Sequence, residues 1–207
     1  MARRKYEAGI KERRHKYTPR QRDSLPDRIV LNSSNADELA QSVRSYAAMI
    51  RESSENETVD CLLDELARSL SAGCTRSATI LAWSAGISFL ADQLWLAVGE
   101  SANGWDGLIN SAQSRIPSVQ CGVDPRKLPR VGTDFDINLW QKNYSEPQIA
   151  FLGFAKGLYS AYALEQLYLD CFRPRCRAAH PSSTIIPIED VARSLRLIAH
   201  YLLRSRG

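Results

Sequence analysis

The sequence predicts an all-α protein, a helical bundle of four to five helices. Three observations lead there. Apolar residues recur at spacings of three and four over several long segments, the period of a helix with one face turned inward. Cap and breaker residues punctuate those segments at helical lengths. No stretch shows the strict alternation and tight-turn dipeptides of a strand hairpin, and there is no internal repeat.

In chain order, Pro19 and Pro26 interrupt any helix near the start. Ser33-Ser34-Asn35 offers N-cap oxygens ahead of a helix over Ala36–Glu52, whose inner face is Leu39, Val43, Tyr46, Ala47 and Ile50. Ser53-Ser54-Glu55-Asn56 is a break. The pattern resumes over Val59–Ser71 through Leu62, Leu63, Leu66 and Leu70, and Gly73 ends it.

Thr75–Gly99 is the most apolar stretch: Ile80, Leu81, Trp83, Ile87, Phe89, Leu90 and Leu94 point all round, and Ala78, Ala82, Ala85 and Ala91 let neighbours approach. It is long enough to span a membrane. Thr79, Ser84, Ser88, Asp92 and Gln93 interrupt it, however, and no anchors flank both ends, so the expectation is a buried central helix and no membrane. Residues 99–145 are punctuated by glycine and proline and read as an irregular insertion with a helical turn at Trp105–Ser114. Trp105, Trp140 and Tyr144 either pack that insertion onto the body or contact a ligand.

Glu146–Phe172 reads as a second long helix, with Gly153 and Gly157 placed for close approach of another helix and Pro174 forcing a kink or an end. A last helix is expected over Pro187–Arg204. Pro187 takes its first position, Glu189 and Asp190 lie in the dipole-favoured first turn, and Val191, Leu195, Ile198, Ala199 and Leu202 face inward.

Composition narrows the class. Hydrophobic residues make up 44% and charged residues 24% of 207, ordinary for a soluble globular domain. Five cysteines, an odd number without CxxC spacing, argue against a disulfide framework or a zinc ribbon and fit a cytoplasmic protein. The basic N-terminus has no apolar core behind it, unlike a signal peptide. Residues 1–28 hold ten basic against four acidic side chains, a net of +6, so the other 179 residues carry −2 of the chain's +4. That basic leader, ahead of a single domain at 29–207, reads either as a polyanion contact or as a solvated tail.

Chemistry concentrates in Cys171-Phe172-Arg173-Pro174-Arg175-Cys176-Arg177-Ala178-Ala179-His180-Pro181-Ser182. The chain has three histidines, and imidazole is the side chain suited to proton transfer near neutrality. His15 lies in the leader and His200 near the end of the last helix, whereas His180 sits among arginines between two helices. Asp92 is the odd residue of the apolar helix; it lies on an exposed edge, caps something, or belongs to a site. No HxxE spacing offers metal ligands and no glycine-rich loop offers a phosphate cradle, so neither a metal nor another cofactor is expected.

Arg175, four intervening residues and His180, in the context Ala178-Ala179-His180-Pro181 between the last two long helices, resembles the motif of the HEPN superfamily. The alanine-rich run from Gly73 to Ser84 is similar to the earlier core helix of such domains. Cys176 stands where the family commonly has asparagine, and a register pairing Arg173 with His180 remains open. The resemblance covers roughly 36–205. It implies a small helical bundle, a metal-independent endoribonuclease of toxin–antitoxin or phage-defence systems, and a homodimer in whose cleft two motifs meet. RNA is then the substrate, and a cognate antitoxin or defence protein a further partner.

Arg175 and His180 are the implied catalytic pair, Arg173 and Arg177 bind RNA phosphates, and Cys176, Ser182 and Asp92 are supporting candidates. The chemistry stands without the family: a base takes the 2′-hydroxyl proton while a guanidinium steadies charge on the phosphorane, and no metal is required. Two other readings remain. In one, a non-catalytic HEPN-like module binds RNA or a protein partner; in the other, the arginines merely cap helix carbonyls and His180 is a turn residue.

Overall fold

A computed structural model describes residues 36–99, 102–115, 121–130, 144–180 and 186–203. The basic leader, Ser33–Asn35, Trp140 and Ser182 lie outside the described residues. Those from 37 onward belong to one compact unit. The fold is all-α, with no strand among the described residues. In order, the helices are α1 (Ala36–Glu52), α2 (Glu57–Ser71), α3 (Thr75–Val98), α4 (Ala102–Ser114), α5 (Glu146–Lys156), α6 (Ala161–Gln166), α7 (Arg173–Ala179) and α8 (Ile188–Leu203). A π-helical turn, Leu167–Phe172, joins α6 to α7, and a 3-10 turn covers Pro125–Lys127.

Helix α1 buries Val43 and Ile50. Asn56 starts α2 by accepting a hydrogen bond from the Thr58 amide, as an N-cap should. Gly73, at φ +71°, lets the chain reverse after α2.

Helix α3 is the hub. It packs against α2, α5, α7 and α8, and Ala78, Ala82, Ala85 and Ala91 are all buried where those neighbours press in. By length and composition it is the one helix among the described residues able to cross a membrane, yet half of its apolar stretch is buried within the domain. At Gly86 the approach is closest: a Cβ there would stand 2.6 Å from Ile198 Cδ1 of α8.

The fold has more, shorter helices than expected, for local reasons. The segment Glu146–Phe172 is not one helix. Gly157 ends α5 in the left-handed region at φ +89°, and Ser160 caps α6 by accepting from the Ala163 amide. Gly153 does serve close packing: a Cβ there would lie 2.9 Å from the Tyr159 hydroxyl and 3.0 Å from Leu90. The buried Tyr159 hydroxyl donates to the Ala150 carbonyl. The described part of the insertion also holds more helix than expected. It opens with the 13-residue α4, anchored by fully buried Trp105, which stacks on Trp95 with ring centroids 6.0 Å apart. Tyr144 is buried as well and donates to the Pro129 carbonyl, so both aromatics pack the insertion down.

Pro174 neither ends nor breaks the helical path. The π turn precedes it, and Arg173 N–H bonds back five residues to the Tyr168 carbonyl. Proline has no N–H for the Asp170 carbonyl four residues back. The fully buried Ser194 of α8 supplies a donor instead, its Oγ 3.3 Å from that oxygen. Helix α8 starts at Ile188, one residue after Pro187, and buries Val191, Leu195, Ile198 and Ala199 as expected.

The Gly86 contact makes a signed prediction. Alanine is the better helix former by about 1 kcal/mol, but overpacking against Ile198 costs about 1–3 kcal/mol. Gly86→Ala therefore lowers the thermal midpoint, and it ceases to do so in an Ile198→Ala background. A Gly86→Ala protein more stable than the parent contradicts the close approach.

Candidate active site

Helix α7 carries the motif, and its ends treat the two key residues differently. Arg175 lies within the helix and is pinned. Its Nη2 donates to Glu146 Oε1 at 3.0 Å, both side chains being 28% exposed. The other carboxylate oxygen, Oε2, accepts from the buried Trp83 indole Nε1 at 3.0 Å. Glu146 opens α5, where the helix dipole favours an acid, so the carboxylate suits its place before it meets either partner. Trp83 also packs on Phe172, with centroids 5.7 Å apart. Three elements, α3, α5 and the π turn running into α7, thus meet around one carboxylate. Arg175 Nε is buried without a hydrogen-bond partner among the described residues.

His180 ends the helix. Its backbone is extended (φ −88°, ψ 136°), the conformation a following proline enforces, and its imidazole is exposed. Its amide still bonds to the Cys176 carbonyl at 3.3 Å. Arg76, from the first turn of α3, clamps this end: Nη1 donates to the carbonyls of Ala178 and His180, each at 3.0 Å. A cation in a helix's first turn opposes its own dipole, but the carbonyl end of a neighbouring helix is where a cation is favoured. Arg175 is thus fixed in the first turn of α7, and His180 is reachable where the helix stops, five residues on and about 140° round it.

The other candidates divide. Arg173 and Arg177 are each two residues from Arg175, about 200° round the helix, and serve a different face. Arg177 pairs with Asp190 of α8 at 3.5 Å, and Arg173 lies over the Tyr168 ring, 5.8 Å from its centroid. Cys176 is half-buried in the helix between the two key residues. Asp92 is not brought to the site. It lies 16 residues beyond Arg76 on the same helix, about 24 Å along the axis, and accepts from Asn56 Nδ2 at 2.7 Å, tying the cap of α2 to α3. Burial raises the Asp92 carboxyl above its ordinary range, partly offset by that hydrogen bond.

All five cysteine thiols are free. Burial pushes the Cys121 and Cys171 thiols up, leaving both protonated and unsuited to nucleophilic work. His200 is exposed on α8 with its ring edge-on to Tyr201.

Glu146, Trp83 and Arg76 had no signal in motif spacing. The hint for Arg76 was electrostatic, a basic residue in a first turn that holds no acid. Comparison with protein-family models, with curated proteins and with solved structures finds no match to this chain.

Two stability outcomes follow. Glu146→Ala strands the Arg175 guanidinium and the Trp83 N–H together and lowers unfolding free energy by about 1–3 kcal/mol, read from denaturant midpoints; a change below about 0.5 kcal/mol contradicts the node. For Asp92 the sign runs opposite to that of a salt-bridged acid. Its folded pKa lies above the ordinary 3.8, so ionisation weakens the fold as pH rises through the folded value. Asp92→Asn, which keeps an acceptor for Asn56, raises the urea midpoint at pH 7 and loses that advantage as pH falls towards the unfolded value. A midpoint lowered at pH 7 refutes the desolvated carboxylate.

Proposed function

We propose that this chain is a metal-independent endoribonuclease of HEPN type, acting as a homodimer in a toxin or phage-defence setting. The observation that carries the reading is α7 itself, with Arg175 fixed by Glu146 in its first turn and an exposed His180 at the residue where the helix stops. His180 takes the proton of a 2′-hydroxyl. The 2′-oxygen attacks phosphorus, forming a 2′,3′-cyclic phosphate, and the 5′-oxygen leaves with a proton from the partner subunit's imidazole. Arg175 donates to the phosphorane oxygens as charge grows on them. Its orientation is set beforehand by Glu146, so little reorganisation is needed at the moment of reaction.

Among the described residues a single protomer offers one imidazole at this corner, and separate groups for the two proton transfers come from a second copy. Arg173 and Arg177, on the outer face of α7, meet the phosphates of neighbouring nucleotides. Five free thiols suit a cytoplasmic site of action.

One observation favours a second reading. The Glu146 carboxylate already neutralises Arg175, which fits a non-catalytic HEPN-like module that binds RNA or a protein partner. Incubation with RNA in EDTA separates the two. The nuclease reading expects cutting that leaves 2′,3′-cyclic ends, spares 2′-deoxy positions, and falls about 100-fold or more in His180→Ala and Arg175→Ala. A clean wild-type dimer that leaves RNA intact, or cutting that survives His180→Ala, supports the adaptor instead.

A further inference from the structure

The π turn ahead of the motif does more than accommodate Pro174. In continuous α-helix, residues five apart point about 140° away from each other. In the π turn they are the hydrogen-bonded pair. Arg173 N–H bonds to the Tyr168 carbonyl, and the side chains of the same two residues meet, the guanidinium carbon 5.8 Å from the Tyr168 ring centroid. Phe172 adds a second ring, 5.6 Å from Tyr168 at an interplanar angle of 25°. Tyr168 and Phe172 are half-buried, while Arg173 is exposed and has no acidic partner among the described residues.

The ring of Tyr168 is held from a third side. Gly122, at φ +71°, comes so close that a Cβ there would stand 2.8 Å from the ring's Cε2 and hydroxyl. A widened helical turn, a ring braced by backbone and a cation at that ring with no acidic partner among the described residues are more than packing requires.

We infer that Tyr168, Phe172 and Arg173 form a nucleobase-binding subsite for single-stranded RNA, in which an unpaired base stacks on the Tyr168–Arg173 pair at the π turn that leads into α7. Guanidinium planes and aromatic rings are the surfaces on which splayed bases stack, and each such stack tolerates any base. A duplex, with its bases already stacked on each other, gains nothing here. The inference rests on the nuclease reading only for its polymer, RNA, and extends it to the strandedness of the substrate.

The test uses the full chain carrying His180→Ala, so that bound RNA stays intact, with a labelled mixed-sequence oligoribonucleotide, single-stranded or annealed to its complement, in fluorescence anisotropy. Arg173→Lys, which keeps the charge but loses the plane, and Tyr168→Ala each weaken single-strand binding by about tenfold, whereas Tyr168→Phe leaves it within about twofold. The duplex binds weakly throughout. Unchanged affinity in both weakening variants, duplex binding as tight as the single strand, or no measurable RNA binding overturns the subsite. If wild type fails to cut while these affinities change as stated, the nuclease reading falls and the subsite stands. If wild type cuts and the affinities do not move, the subsite alone falls.

Discussion

A single carboxylate, that of Glu146, is the point on which the motif's geometry depends. Its two oxygens take the Arg175 guanidinium and the Trp83 indole, each at 3.0 Å, and so join the start of α5 to the middle of α3 and to α7. Neither donor has an easy substitute partner: Trp83 is buried, and Arg175 is largely enclosed. A half-buried charge pair adds little net stability, because desolvation cancels most of the attraction. What such a pair supplies is direction. It fixes where the Arg175 guanidinium points.

The second constraint acts on α7 from its other end. Arg76 reaches from the first turn of α3 to two carbonyls that α7 leaves open, and so holds the residue at which the helix stops. Helix α3 thus grips α7 twice, through Trp83 and Glu146 at Arg175 and through Arg76 at His180. The π turn and Ser194 let the same short helix contain Pro174 without losing its path. The result is a helix whose faces are assigned different work. One face locks Arg175 inward, and the other shows Arg173 and Arg177 outward.

Much of the fold was legible in the residues. The three-and-four spacing located α1, α2 and α8, all-round apolarity located α3, and Gly73 signalled the stop of α2 because a reversal needs a positive φ. What spacing could not show was competition between two uses of one residue type. Gly157 read as a packing glycine alongside Gly153, but its φ of +89° makes it a terminator, and only Ser160 three residues later hinted at a new start. The site was half legible. Arg175 and His180 stand out by type and neighbourhood, while Glu146 lies 29 residues from Arg175 and 63 from Trp83, separations that carry no local pattern. Asp92 looked chemical because it is an acid in an apolar helix, and the cap at Asn56 that it steadies could be seen only in three dimensions.

The central claim is that two copies of this corner form one composite site, and the most direct measurement is a crystal structure of this chain together with its oligomeric state in solution. The account predicts a symmetric pair in which the ends of α7 face each other across a cleft, with both His180 imidazoles within reach of one phosphodiester. A monomer in solution, or a dimer holding the two corners on opposite outer surfaces, contradicts it.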